Sequence, residues 1–242
     1  MVHFAHSRAA LFVLIVTCWL ASAGCSKHTS RVMAPRPTGS AAPSPRTPAA
    51  VQLLQYCWQQ RSSDRYRELF TDDYRFDFSP GDSAGNPFRD RPWGREDELI
   101  CGDHLFVHGV TFDGVVYEPP ATLIVLTFYS ILIPFDDTRA DKNPDWHKQV
   151  RAQFALQIYR SDERDYEVRG SGLFHLVRGD SANISADLRA LGFAPDSNRW
   201  WIDEWEDETS PDKPAPFARV GSPLHPTPTR STTLGAIKVL YR

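Results

Sequence analysis

The chain has 242 residues, a formal net charge of −3 at pH 7 and 41% hydrophobic residues. This balance, without a run or patch of basic residues, argues against nucleic acid as a partner. The sequence also lacks a glycine-rich phosphate loop, a serine nucleophile elbow and a paired Cys-x-x-Cys motif. The part of the chain after residue 48 has the size of one ordinary domain.

The first 24 residues have the pattern of a targeting segment and are set aside from the fold. Arg8 precedes an apolar run from Leu11 to Leu20, which is too short to span a bilayer core of ~30 Å as a permanent helix. Small residues lead directly to Cys25, and this resembles the processing site of bacterial lipoproteins, although Ser22 stands where leucine is usual. The resemblance implies that Cys25 carries a lipid; the alternative is an ordinary secretory signal peptide.

A lipid on Cys25 would make the membrane a partner and place the chain in the cell envelope. Ser26, which is not an aspartate, favours the periplasmic side of the bacterial outer membrane. A protein anchored in the inner membrane or secreted is the alternative. Residues 25–48 are rich in Pro, Ser, Ala and Thr and hold almost no large apolar side chain. Such a segment cannot offset its ordering entropy by burial, so we expect a tether.

The first helix is predicted from residue 49 onward. Val51, Leu54 and Trp58 recur at helical spacing and form an apolar stripe that needs a sheet to cover it. Cys57 lies beside this stripe, and Cys101 lies on a later helix. Outside the cytoplasm a disulfide between the two cysteines is allowed, and two buried free thiols are the alternative.

A short second helix, capped by Asp64, leads into the first strand. Asp72 and Asp73 are expected to turn the chain into Tyr74–Phe78, which alternates aromatic with charged residues. After a loop punctuated by Gly and Pro, a third helix begins near Trp93, with acidic residues in its first turn. Its apolar side is expected to consist of Leu99, Ile100, Leu105 and Phe106.

Four long strands follow, as judged from the apolar pattern. Ala121–Ile133 is almost entirely apolar, as expected of a strand covered on both faces, and Pro134–Trp146 is a charged turn. A short helix near Ser185–Leu191 precedes the last strand. The other three strands are His147–Tyr159, Tyr166–Arg178 and Arg199–Asp207. Long strands connected in sequence predict an α+β domain over residues 49–209, in which a strongly curved antiparallel sheet wraps round the N-terminal helix.

The tail has two parts. Residues 210–232 are Pro-rich and predict an extended linker. Leu234–Arg242 has strand character. Such a strand can add to a free sheet edge of its own chain or of a partner, for instance in a homodimer. A frayed terminus is the alternative.

The order of elements resembles the nuclear-transport-factor-2-like superfamily, which includes SnoaL-like polyketide cyclases and ketosteroid-isomerase-like proteins. Asp64–Phe78 is similar to the family's segment of short helix, aspartate and aromatic strand. Gly94–Glu96, followed by Leu99 and Ile100, is similar to the start of its third helix. The resemblance covers residues 49–207. It implies a cystatin-like α+β cone with a pocket inside, but no particular activity, because this fold hosts enzymes, binding modules and adaptors.

Family enzymes place an aspartate or a histidine in the cone, and His175 and Asp203 are the catalytic candidates here. The alternative is a His175 at the surface or core edge and an Asp203 paired with an arginine. His104 and His108 lie one helical turn apart near Asp103, but no further ligand pattern accompanies them, so neither a metal nor a cofactor is predicted. Aromatic side chains are expected to line the cone, as a pocket for a small apolar ligand or as the core itself. They are Trp58, Tyr66, Tyr74, Phe76, Trp93, Trp201 and Trp205.

Three functions therefore stay open. The first is a non-catalytic, lipid-anchored domain that holds a small apolar ligand or a partner protein. The second is a cofactor-independent isomerase, dehydratase or cyclase that uses His175 and Asp203. The third is an envelope-assembly adaptor that dimerises through the cone mouth or the terminal strand. Both candidate side chains pointing into one enclosed cavity would favour the enzyme.

Overall fold

The computed structural model describes residues 49–88, 90–130, 132–209 and 230–242. The signal segment, the lipidation site Cys25, the tether and most of the Pro-rich linker lie outside the described residues. In the described part of the chain, no helix is both long and apolar enough to cross a membrane.

The helices of the described residues are α1 (Ala49–Gln60), α2 (Ser63–Tyr66), α3 (Arg95–Asp103), α4 (Ala186–Ala190) and α5 (Leu234–Leu240). Short 3₁₀ helices cover Arg67–Leu69 and Ser83–Phe88, and a π-helical turn continues α3 over His104–His108. α1 buries the predicted stripe, with Val51, Leu54 and Trp58 all inside. Asp64 does not cap α2, because Ser62 holds the cap position and Asp64 lies in the first turn.

The strands of the described residues are β1 (Phe70–Asp77), β2 (Trp93–Gly94), β3 (Val110–Phe112), β4 (Val115–Glu118), β5 (Ala121–Phe128), β6 (Pro134–Asp136), β7 (His147–Arg160), β8 (Tyr166–Arg178), β9 (Trp200–Asp207) and β10 (Arg230–Ser231). The main sheet has the order β2-β1-β9-β8-β7-β5, with β6 beside β7 and β10 beside β8. β3 and β4 form a separate hairpin.

The sheet is mixed rather than purely antiparallel. β1 pairs with β9 in parallel, as does β10 with β8, whereas the remaining pairs are antiparallel. A parallel pair needs a long crossover connection, and the chain supplies one between β1 and β9 in α3 and the intervening strands. α1 packs against β5 and β9. The predicted α+β class with a curved sheet round the N-terminal helix is confirmed.

Two predicted strand boundaries are wrong. β1 begins at Phe70, before the expected turn, because an irregularity in its pairing with β9 leaves Asp72 and Asp73 exposed within the strand. β5 ends at Phe128, and its Leu123 is 48% exposed, so this strand is not covered on both faces. The expected charged turn also holds β6, which pairs with β7.

The buried face of α3 differs in part from the prediction: Leu105 and Phe106, in the π-helical turn that continues the helix, are buried as predicted. Glu98 and Gly102 point inward, whereas Ile100 is 37% exposed. Gly102 lies against the ring of Tyr66, where a Cβ atom would come within 2.7 Å of the ring. The helix therefore turns its small and polar residues toward the core, because an aromatic ring and several hydrogen-bond donors already occupy that space.

Cys57 on α1 and Cys101 on α3 are buried and carry free thiols. Of the two alternatives left open by the sequence, the disulfide is wrong and the pair of buried thiols is confirmed. Burial raises the pKa of each thiol to about 12. Both cysteines therefore stay protonated at neutral pH and act as small apolar side chains.

The C-terminal segment is not the predicted terminal strand. Residues 234–240 form α5, and the strand β10 precedes them and pairs with Tyr166 and Glu167 of β8. The large buried side chains of this segment recur at intervals of three and four residues, which is the period of a helix. They are Leu234, Ile237, Lys238 and Tyr241.

Candidate binding site

A fully buried carboxylate, that of Glu98 on α3, lies in the aromatic core that the curved sheet encloses together with α1 and α3. We call this enclosed space the cone. The indole Nε1 of Trp93 donates a hydrogen bond to Glu98 at 2.9 Å, and the Tyr74 hydroxyl donates at 3.4 Å. The Tyr66 hydroxyl donates a further hydrogen bond. Neutral donors from α2, β1 and β2 therefore converge on one anionic group.

The two tyrosines are permanent donors. Burial, with the nearby charge of Glu98 as the next cause, raises the pKa of Tyr66 and of Tyr74 well above the usual tyrosine value. Both hydroxyls consequently keep their protons across the physiological range. They orient the carboxylate, but they do not neutralise its charge.

The positive charge opposite Glu98 comes from the far end of the chain. Lys238 on α5 is fully buried, and its ammonium contacts both carboxylate oxygens, at 2.5 Å from Oε2. The same Nζ atom lies 4.2 Å from the ring centroid of Phe76 and 4.5 Å from that of Trp205. One carboxylate and two aromatic faces therefore enclose the ammonium, an arrangement typical of sites that bind organic cations.

Hydrogen bonds at both ends hold α5 in place. Thr233 caps the helix by accepting from the Ala236 backbone N–H at 3.0 Å, and its hydroxyl donates to Asp82 at 2.6 Å. At the other end, the Tyr241 hydroxyl donates to the carbonyl oxygen of Pro119 at 2.9 Å. The ends of α5 are therefore tied to two separate parts of the domain.

The fit of α5 is close. A Cβ atom at Gly235 would come within 2.4 Å of an oxygen of Asp82 and 2.7 Å of the ring of Phe78. Next to Leu234 and Trp58, a cavity of about 10 Å³ remains in the cone, which is roughly the space of one water molecule. With α5 in place, this cavity is too small for an organic ligand.

A second buried carboxylate lies close to α5. Burial raises the pKa of Asp207 to about 6, although the backbone N–H of Thr209 donates to it at 2.9 Å. The nearby charge of Asp82 acts in the same direction as burial, and that of Lys238 acts against it. The Oδ2 atom of Asp207 has no hydrogen-bond partner among the described residues.

The predicted aromatic residues fall into two groups. Trp201 packs in a second cluster with Val177, Ile184 and Leu188, so its assignment to the cone is wrong. In the pairing of β9 with β8, Asp203 is an extra residue between Ile202 and Glu204, and such a bulge reverses the faces of the residues beyond it. The other six belong to the main core: Trp58, Tyr66, Tyr74, Phe76, Trp93 and Trp205. That they line a ligand pocket stays a prediction.

The catalytic candidates His175 and Asp203 do not share a cavity. The Nε2 atom of His175 lies 2.7 Å from Glu206, and its Nδ1 atom lies 3.3 Å from Asp137. Asp203 instead accepts a hydrogen bond from Arg139 at 2.8 Å. Arg139 also pairs with Asp137, so the candidates are linked through that pair rather than to each other. An Asp203 paired with an arginine was the alternative reading, and it is confirmed.

The cluster around His175 is held together by paired charges. Burial alone would raise the pKa of Asp137, but hydrogen bonds from Arg139 and His175 outweigh it and lower the pKa to about 2. His175, Glu204 and Glu206 offer ligand atoms within 4.8 Å of one another. Arg139, however, already engages Glu204. The arrangement is that of an ion network that stabilises the sheet.

His104 and His108 do not converge on a common point. The Nδ1 atom of His104 lies 2.9 Å from the carbonyl oxygen of Tyr241, and that of His108 lies 2.7 Å from Asp103. His104 therefore contributes to the attachment of the C-terminal segment, and His108 belongs to an exposed pair with Asp103.

Sequence reasoning missed the two central residues, Glu98 and Lys238. Glu98 looked like one of several acidic residues in the first turn of a helix, where the helix dipole explains them. Lys238 is the one charge within the apolar run from residue 234 to 241. That isolated charge, read at helical spacing, is the signal that could have pointed to a buried cation and hence to a buried partner.

Comparisons with known proteins give matches among solved structures, whereas no family profile and no curated protein matches. A nuclear-transport-factor-2-like superfamily protein from Salmonella enterica is 10% identical, with 70% of this chain and 92% of that chain covered and a TM-score of 0.40. A nuclear-transport-factor-2-like protein of unknown function in nutrient uptake from Rhodospirillum rubrum is 8% identical, with 66% and 95% covered and a TM-score of 0.39. A protein from Kribbella flavida is 10% identical, with 67% and 86% covered and a TM-score of 0.43.

The element order and sheet topology define the class of protein. A helical hairpin followed by a strand, a third helix and a curved, mixed sheet wrapped round α1 is the α+β architecture that the resemblance to the nuclear-transport-factor-2-like superfamily predicts. The sequence prediction of this fold is confirmed. Function has to be argued from the site, because this fold carries many unrelated functions.

Proposed function

We propose that the chain is a lipid-anchored, non-catalytic domain of the cell envelope whose aromatic cone binds an apolar ligand or a segment of a partner protein. Its own C-terminal helix closes the cone between binding events. One observation carries the proposal: Lys238 of the short helix α5 is fully buried in the cone, where it pairs with the fully buried Glu98.

The length of α5 supports a removable closure. The helix spans seven residues, and isolated helices this short are not stable in water. Its stability therefore comes from its contacts with the domain. Segments of this kind open locally, with a free energy below that of global unfolding. A ligand that occupies the cone better than Lys238 does would shift this equilibrium toward the open state.

Native-state hydrogen exchange of the full chain tests the closure. We expect the amides of Leu234–Leu240 to exchange through a local opening, well before those of β7 and β8. Gly235→Ala should accelerate this exchange, because its Cβ atom would collide with Asp82 and Phe78. The same substitution should increase the binding of an apolar fluorescent probe.

Gly192→Ala is the matched control. Gly192 has a φ of +89°, which strains alanine, but no atom lies within 4 Å of the added Cβ. This variant should lose global stability without selective opening of α5. Exchange of α5 only by global unfolding, or equal probe binding by the two variants, would contradict the proposal.

The anchor needs a separate test. We expect the wild-type chain, expressed in a bacterium with lipoprotein processing, to incorporate labelled fatty acid and to fractionate with the membrane. Cys25→Ser should abolish the labelling. If the wild-type chain incorporates no label, or if the variant is labelled to the same extent, the lipid anchor at Cys25 is wrong.

A further inference from the structure

We propose that the ligand recognised by the cone is an organic ammonium ion, a protonated primary amine on an apolar chain that takes the place of the Lys238 side chain. The inference rests on the proposed function and names the ligand class of the same site. In the closed state, the chain's own lysine occupies the position of this ligand.

The buried negative charge of Glu98 favours a cation at the position of the Lys238 ammonium group. Glu98 is fully buried, and its hydrogen bonds from Tyr66, Tyr74 and Trp93 leave its negative charge in place. A buried carboxylate without a counter-ion is strongly unfavourable. When α5 leaves, the position of the Lys238 ammonium is the place where a new positive charge gains the most.

Two aromatic rings line that position and favour an ammonium group. The Lys238 Nζ atom lies 4.2 Å and 4.5 Å from the ring centroids of Phe76 and Trp205. Aromatic faces attract ammonium groups, most strongly where water is excluded. A sodium ion, whose hydration shell the rings cannot replace, is a poorer occupant of such a place. The cage therefore selects an organic cation rather than any cation.

The surroundings of the Lys238 side chain favour an ammonium ion that carries an apolar chain. The whole Lys238 side chain is buried, so its methylene groups are shielded from water together with its ammonium group. The small cavity bordered by Leu234 and Trp58 is lined by apolar side chains and shares Trp205 with the cage. An occupant with an apolar chain behind its ammonium group matches both features, whereas a compact or polar cation matches only the charge.

The experiment uses the full chain with Lys238→Ala. Alanine keeps the Cβ atom, so the missing atoms are those of n-propylammonium. We expect saturating n-propylammonium chloride to raise Tm by about 4 °C or more. Propan-1-ol, the neutral analogue of the same size, and sodium chloride at equal ionic strength should give no such rise. Adding Glu98→Gln should abolish the effect of the amine, because glutamine carries no charge.

Equal shifts with the amine and the alcohol, or an amine effect that survives Glu98→Gln, would overturn the proposal. If Lys238→Ala does not fold, the wild-type chain gives the answer. There, n-hexylammonium should accelerate exchange of the α5 amides at least about tenfold relative to hexan-1-ol at the same concentration, which corresponds to ~1.4 kcal/mol of binding free energy. Equal acceleration by the two compounds would overturn it.

The ligand class and the closure can fail independently. If α5 opens locally but amines have no advantage over alcohols, the ligand class is wrong and the closure stands. If Lys238→Ala binds n-propylammonium while α5 of the wild-type chain exchanges only by global unfolding, the cage is supported and the closure is wrong.

Discussion

Replacing Lys238 by methionine measures how strongly α5 is held. Methionine keeps most of the volume but removes the charge, so Glu98 stays buried with neutral donors alone. Removal of one partner of a buried ion pair lowers the free energy of unfolding by about 3–5 kcal/mol. The loss cannot exceed the free energy with which the C-terminal segment docks, because undocking relieves Glu98. A chain that ends at residue 232 measures this ceiling.

The assay is urea unfolding of the full chain at neutral pH, with the double variant Lys238→Met/Glu98→Gln beside the two single variants. Since the double variant carries neither charge, we expect it to recover most of the stability. Lys148→Met is the surface control: the side chain of its partner Asp136 is 67% exposed and that of Lys148 is 29% exposed, so we expect a loss below about 1 kcal/mol. A Lys238→Met loss as small as that of the control, or a double variant as unstable as the sum of the singles, would refute the reasoning.

Three further predictions follow. Burial raises the pKa of Asp207 from 3.8 to about 6. Because the unfolded chain loses this proton at lower pH than the folded chain, the free energy of unfolding falls as pH rises through this interval. Asp207→Asn should therefore stabilise the fold by up to about 3 kcal/mol above pH 6, and the gain should vanish below pH 4. The thiols of Cys57 and Cys101, whose pKa values burial raises to about 12, should react with a thiol reagent at the rate of unfolding, and fast native-state labelling would contradict their burial. Arg139→Met should lower the free energy of unfolding near pH 6 but much less near pH 2. The pKa of Asp137 is about 2, so at the lower pH its carboxylate loses charge and the pair with Arg139 weakens in the wild-type chain as well. A loss of stability that does not depend on pH would contradict the role given to this pair.

The parts of the fold that the sequence predicted well are those in which one repeating pattern extends over many residues. The stripe of Val51, Leu54 and Trp58 spans about two helical turns, and the apolar residues at every second position of β7, from 150 to 158, are all buried. Both patterns reflect burial against a single neighbouring layer. Burial of one face therefore determined the type of these elements.

The errors arise where a local feature interrupts the pattern. The extra residue Asp203 in β9 reverses the faces on either side of it, so alternation wrongly placed Trp201 and Trp205 on one face. The C-terminal helix is only seven residues long, and over that length Ile237 and Val239 give the same impression as a strand. Neither feature is visible without knowledge of the partner strand or of the space to be filled.

The central pair could not be predicted because its members are 140 positions apart. Each residue has an ordinary explanation in its own segment: Glu98 favours a helix N-terminus, and Lys238 looks like a solvated charge near the end of the chain. Only the fold shows that both side chains are fully buried and face each other. The candidate site is thus a product of long-range packing rather than of a motif.

Acetylation of the native full chain, mapped residue by residue with mass spectrometry, tests the closure of the cone by Lys238 most directly. The side chains of Lys142 and Lys148 are 33% and 29% exposed, whereas that of Lys238 is fully buried. We expect Lys142 and Lys148 to be acetylated at least about tenfold faster than Lys238, whose reaction must wait for α5 to open. Acetylation of Lys238 as fast as that of Lys142 would show that the helix does not hold its lysine inside the cone, and it would contradict the account.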